Sequence, residues 1–171
     1  QEAEALNDRS LRYANSASDS ADVYLRQHYF YAQTGQMEKA IETIELRWEK
    51  LESVRSVFEI GNEKLTYQYI ITYLHGGFRE RYEKLKEEYY NSIPDQTGLF
   101  HCIGEINYAI ALDDSVKVNE LMASCTKQFE SIMGEAGMHM MDGYQAMVNR
   151  QYEKSIEAFN LYFDIANINN E

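Results

Sequence analysis

Apolar residues recur at the three- and four-residue spacing of an amphipathic helix along almost the whole chain. The pattern is interrupted at Ser16-Ala17-Ser18-Asp19-Ser20, Thr34-Gly35, Ile60-Gly61-Asn62, Gly76-Gly77 and Pro94-Asp95-Gln96-Thr97-Gly98. Later interruptions fall at Asp113-Asp114-Ser115, Glu135-Ala136-Gly137 and Asn149-Arg150. The segments between them run to roughly 12 to 24 residues, the length of helices rather than strands. One stretch is ambiguous: Tyr67–Leu74, YQYIITYL, is β-branched and aromatic with partial alternation. Its setting between helical segments predicts a buried helix there as well.

The interruptions are of two kinds, and they alternate. Thr34-Gly35, Gly76-Gly77, Asp113-Asp114 and Asn149-Arg150 read as tight turns, each followed by an amphipathic helix. The first and last of these helices are written in nearly the same letters: QMEKAIETI from Gln36 meets QYEKSIEAF from Gln151. A two-helix unit recurring every ~36 to 42 residues is the mark of an α-solenoid. The pattern therefore predicts an all-α domain of about nine helices over residues 1–171, with hairpins at 20–60, 62–93, 97–135 and 137–169. Residues 1–17 form one further helix, a cap or part of a repeat.

Within this frame Tyr24, Tyr31, Gly35 and Ala40 stand where a tetratricopeptide repeat has two aromatics in its first helix, a turn glycine and a small residue in its second helix. Gly143, Tyr152, Ser155 and Phe159 answer them in the last hairpin. The chain from about Ala21 to Asn167 thus resembles the tetratricopeptide repeat family, which implies a right-handed solenoid whose first helices line a concave groove. The middle hairpins depart from the pattern, because Arg81 and Asn119 stand at the expected small position.

Charge and composition narrow the partners. A formal charge of −12, with no run of Lys or Arg longer than two, argues against nucleic acid and anionic membrane surfaces. No apolar run approaches the ~18 residues of a membrane span. Two cysteines, Cys102 and Cys125, are too few for a disulfide scaffold; buried free thiols are expected, with a single bridge as the alternative. Nothing in the sequence specifies a compartment, and the cytoplasm is the expectation. A start at Gln1 rather than Met is expected of a processed protein or of a piece of a longer one.

Phosphate loops and the common hydrolase, metalloprotease and calcium motifs are missing from the sequence, so no cofactor, metal or catalytic residue is expected. His101 beside Cys102 is the nearest approach to a reactive pair. Neighbours on a helix diverge by ~100° and do not chelate one ion alone. Fourteen tyrosines carry more information. Carried over from the resemblance, the groove would hold Arg26, Tyr29 and Gln33 from the first hairpin, and Tyr67, Ile70 and Tyr73 from the second. His101, Glu105 and Tyr108 would follow from the third, and Met140, Met141 and Tyr144 from the fourth. The clamp with which some members of the family grip a terminal carboxylate is not reproduced, since Leu25, Tyr29, Tyr67, His101 and Glu105 occupy its places. The expected function is a protein-interaction module or scaffold that binds a peptide or helix of a partner protein, with a homo-oligomer also admitted. The alternative is a regulatory or sensor segment of a larger protein.

Overall fold

The computed structural model describes residues 2–92 and 98–168, and the chain divides into two compact units, residues 1–94 and 95–171. Every described element is a helix. The first unit contains α1 (Glu2–Arg12), α2 (Ala17–Gln33), α3 (Met37–Leu51), α4 (Val57–Lys64), α5 (Tyr67–His75) and α6 (Arg79–Ser92). The second contains α7 (Leu99–Ala111), α8 (Ser115–Val148) and α9 (Tyr152–Ile168). Tyr67–Leu74 lies within α5, as predicted. In an amphipathic setting its apolar period meets the core on one side, and α3 and α6 both pack against it.

Four turns share one geometry. In each, the N–H three residues past the last helical residue donates to the carbonyl five residues back: Gln36 to Tyr31 (2.9 Å), Phe78 to Tyr73 (2.8 Å), Asp114 to Ala109 (3.0 Å) and Gln151 to Ala146 (2.8 Å). The residue before the donor takes positive φ: Gly35 at 75°, Gly77 at 79°, Asp113 at 55° and Arg150 at 58°. This is a Schellman closure, which satisfies carbonyls that the helix end would otherwise leave bare. Glycine adopts that conformation without steric cost; Asp113 and Arg150 hold it because the following helix packs back on its partner.

This geometry corrects the predicted frame. The sequence puts the second and third turns at Gly76-Gly77 and Asp113-Asp114, with the register counted from Gly76 and Asp114; the left-handed residues are their partners Gly77 and Asp113. The counterparts of Ala40 are therefore Tyr82 and Val118, both fully buried, rather than Arg81 and Asn119. The predicted break at Ile60-Gly61-Asn62 is the middle of α4, which starts at a Ser56–Glu59 capping box. The hairpin boundary predicted there moves to Thr66, the N-cap of α5. The break predicted at Glu135–Gly137 falls instead at Gly134, whose φ of 58° and ψ of −138° divide α8 into two segments. Most of the Pro94–Gly98 break lies outside the described residues.

In the first unit α2 packs along α3, and Ala40 is fully buried at their contact. His28, also buried, donates from Nδ1 to the Ala40 carbonyl at 3.0 Å. Burial holds this imidazole below its usual pKa, so it stays neutral and meets the carbonyl as a donor. The last hairpin repeats the bond with its roles exchanged: the Ser155 hydroxyl donates to the Gly143 carbonyl at 2.9 Å. Gly143 faces the Phe159 ring so closely that a Cβ would come within 2.8 Å of it. Ala40→Leu should overpack the α2–α3 contact and lower stability by about 1–3 kcal/mol. The urea midpoint checks this, and a midpoint equal to that of the unsubstituted protein would show that the contact can expand.

The second unit closes over Leu99, Ile106, Val118, Met122, Phe129, Met140 and Met141. Cys102 of α7 and Cys125 of α8 form a disulfide inside this core, so the expectation of two free thiols is overturned. The two residues sit on facing helices with Cα atoms 6.0 Å apart, within the span of a bridge.

Candidate functional site

The residues predicted for a groove separate into an exposed set and a buried set. Arg26, Tyr29 and Tyr67 are exposed on the first unit, the two tyrosines at 40% and 45%. Ile70 and Tyr73 are fully buried, and the Tyr73 hydroxyl donates to Glu45 at 2.8 Å. Tyr108, Met140 and Met141 are buried too, while Glu105 and Tyr144 are half-buried. Tyr144 stands edge-on to Phe159, with centroids 5.4 Å apart. Tyr108, placed in the groove by the resemblance, is therefore covered.

The one-residue shift of the turns explains much of this sorting. Counted from the left-handed residue, the counterparts of Arg26 and Tyr29 in α5 are Gln68 and Ile71, not Tyr67 and Ile70. In α7 they are Gly104 and Asn107, not Glu105 and Tyr108. A slip of one position turns a side chain by ~100° around the helix, enough to move it from an open face to a covered one. In α5 the counted positions behave as an open face should, with Gln68 exposed and Ile71 half-buried. In the second unit Gly104, Asn107 and Met141 are buried and Tyr144 is half-buried, so among the described residues this face is more open in the first unit.

Arg26 also lines a concavity of about 430 Å³ between α1 and α2, together with Arg9, Tyr13, Asp19 and Asp22. Its rim mixes both charges with an exposed aromatic, and Arg9 lies 6.0 Å from the Tyr13 ring centroid. A second concavity of about 440 Å³ lies among the end of α3, α4 and α6, lined by Arg55, Ile60, Lys64, Leu85 and Tyr89. Burial pushes the Tyr89 phenol up to about 12, and its hydroxyl donates to Asn62 at 3.2 Å.

Behind the exposed tyrosines lies a polar cluster that the sequence reading missed. Glu63 of α4 accepts from Arg47 Nε (2.8 Å), Trp48 Nε1 (3.3 Å), Arg55 (3.4 Å) and the Tyr69 hydroxyl (3.4 Å). Arg47 also donates to the Ala21 carbonyl at 3.2 Å and lies 3.7 Å from Asp22. Burial, then the Glu63 charge, raises the Tyr69 pKa, and the phenol stays protonated as a donor. His28 stacks edge-on to both Tyr29 (5.4 Å) and Tyr69 (5.2 Å). The cluster thus ties α2, α3, α4 and α5 to one another. No local motif announces it, because its members are separated by up to dozens of positions and meet only through packing.

Cys102 is committed to the disulfide, so the His101–Cys102 pair has no free thiol. Among the described residues no three His, Cys, Asp or Glu side chains are placed to hold a metal ion, and no helix is long and apolar enough to cross a membrane. No family model matches the chain, and neither a curated protein nor a solved structure matches it.

Proposed function

We propose that the protein is a tetratricopeptide-like helical-repeat module that binds a peptide or helix of a partner protein and transforms nothing. The observation that carries this reading is the fourfold recurrence of one helix–turn–helix with one turn geometry, at left-handed residues 35, 77, 113 and 150. Repeats of this size, stacked as a right-handed solenoid, give rigid and extended docking faces. The docking face of this reading is the open side of the first unit: Arg26 and Tyr29 on α2 and Gln68 and Ile71 on α5, with the exposed Tyr67 one position round the helix at its edge. Tyrosine suits such a place, because its ring brings apolar area and its hydroxyl tolerates water. Rigidity lowers the entropic cost of binding, and the Glu63 cluster ties the helices that carry this face to one another.

Exposed tyrosines allow binding to be separated from folding. Tyr29→Ala and Tyr67→Ala should melt close to the unsubstituted protein, within about 0.5 kcal/mol. Each should weaken capture of the partner that co-purifies with the intact chain, by about 2 kcal/mol where the ring is an anchor. Retention of that partner at full yield by the double variant would remove this face from consideration. Tyr108→Ala serves as the contrast: from its buried position it should lower folding stability instead.

A further inference from the structure

The repeated sentence QMEKAIETI/QYEKSIEAF gives two helices the same outer face and opposite surroundings. On α3 the face consists of Met37, Ile41, Ile44 and Trp48; on α9 the same positions hold Tyr152, Ile156, Phe159 and Phe163. The α3 residues are covered by the next hairpin. Trp48 stands edge-on to Tyr69 with centroids 5.5 Å apart, and Gly76, at the other end of α5, comes close against Met37. These two contacts run α5 antiparallel to α3. Ile41 is accordingly 0% exposed, whereas Ile156 is 62% exposed, with Tyr152 at 59% and Phe163 at 55% beside it. Tyr152, Ile156 and Phe163 fall within ~40° of one another around the helix, forming one apolar stripe. An outer face that a helical-repeat array leaves uncovered is ordinarily polar. The last helix of the first unit is more polar there, with Arg79, Glu83, Lys86 and Tyr90 at the same positions. The α9 helix breaks the rule.

We infer that the outer face of α9 is a docking surface for an amphipathic helix of a partner protein, lying antiparallel to α9 with an aromatic or β-branched stripe and a basic flank. The shape of the occupant follows from α5, which meets α3 with Tyr69 on Trp48 and Tyr73 on Glu45. Its charge follows from the flank. On α3 the flanking Glu45 is held by Arg81 of the covering hairpin, through Nε at 2.9 Å and through a second guanidinium contact. On α9 the position of Glu45 itself is Asn160, and the exposed acids on that side of the helix are Glu153, Glu157 and Asp164. A second copy of this chain fits poorly, since it would bring α9 flanks of like charge together in molecules of net charge −12. The inference rests on the equivalence of α3 and α9 and is independent of the first-unit face proposed above.

A labelled synthetic peptide of residues 66–83 of this chain, containing the α5 stripe and Arg81, is the probe. Titrated with the full protein, its fluorescence anisotropy should saturate, and the affinity should fall at least about tenfold with Ile156→Glu and as salt screens the flank. Ile156→Glu should fold normally because the side chain is mostly in solvent; should its melting differ, Phe163→Ser repeats the measurement. Absence of binding, or binding that both variants leave unchanged, would overturn the inference. Concentration-dependent self-association in sedimentation, abolished by Ile156→Glu, would assign the face to a second copy and overturn it as well.

Discussion

Glu63→Ala is expected to lower stability by about 3 kcal/mol, the largest effect of any single substitution outside the apolar core. The carboxylate accepts from four side chains, and the guanidinium it pairs with, Arg47, is 7% exposed. Removing the acceptor leaves that cation buried with only the Ala21 carbonyl and the more distant Asp22. An uncompensated buried charge typically costs about 3–5 kcal/mol. The lower end applies because Glu63 itself keeps 16% of its side chain in water. Urea unfolding measures the loss. Glu63→Leu combined with Arg47→Met should recover most of it, because removing both partners also removes their desolvation cost. A loss under about 1 kcal/mol for Glu63→Ala would show that water replaces the carboxylate and that the cluster contributes little rigidity.

The second large effect belongs to the other unit. Reducing Cys102–Cys125, or replacing both residues by alanine, should lower stability by about 3 kcal/mol. The bridge closes a loop of sequence separation 23 between α7 and α8, and closing a loop of that size restricts the unfolded chain to about that extent. Its sulfurs lie among Ile106, Met122 and Phe129, so alanine replacements also leave a small void. Unfolding with and without reductant compares the two states directly. Thiol titration of denatured, unreduced protein should find none, and two titratable thiols would show the bridge unformed. Such bridges persist in oxidising compartments. The same titration, on protein alkylated at lysis, therefore tests the cytoplasmic expectation.

The alternation of turns and amphipathic helices was legible because it is a local property, carried by helical apolar spacing and by Gly35, Gly77 and the two aspartates. Helix α2 begins and ends, and helices α3 and α9 begin, close to where those signals put them. Local signals ran out at the single residue. Gly76-Gly77 and Asp113-Asp114 each offer two candidates for the left-handed position, and the wrong choice rotates the following assignment by ~100°. Ile70 was thereby predicted for a groove and lies in the core; Tyr73, predicted there too, also lies in the core. The capping box at Ser56–Glu59 was readable as the start of α4, but the Ile60–Gly61–Asn62 string inside that helix reads as a break until Tyr89 is seen packing against Gly61.

By itself the sequence determined that the chain is helical, where it turns and that its first and last hairpins are alike. The tertiary structure alone decided which residues meet: Cys102 with Cys125, Glu63 with Arg47, Trp48 and Tyr69. It also decided what each helix face is for. Ile41 and Ile156 stand in the same local sentence, one sealed beneath α5 and the other open to solvent. A side chain's hydrophobicity is its own, but its burial is conferred by whichever helix packs over it, and no window of sequence around Ile156 contains that helix.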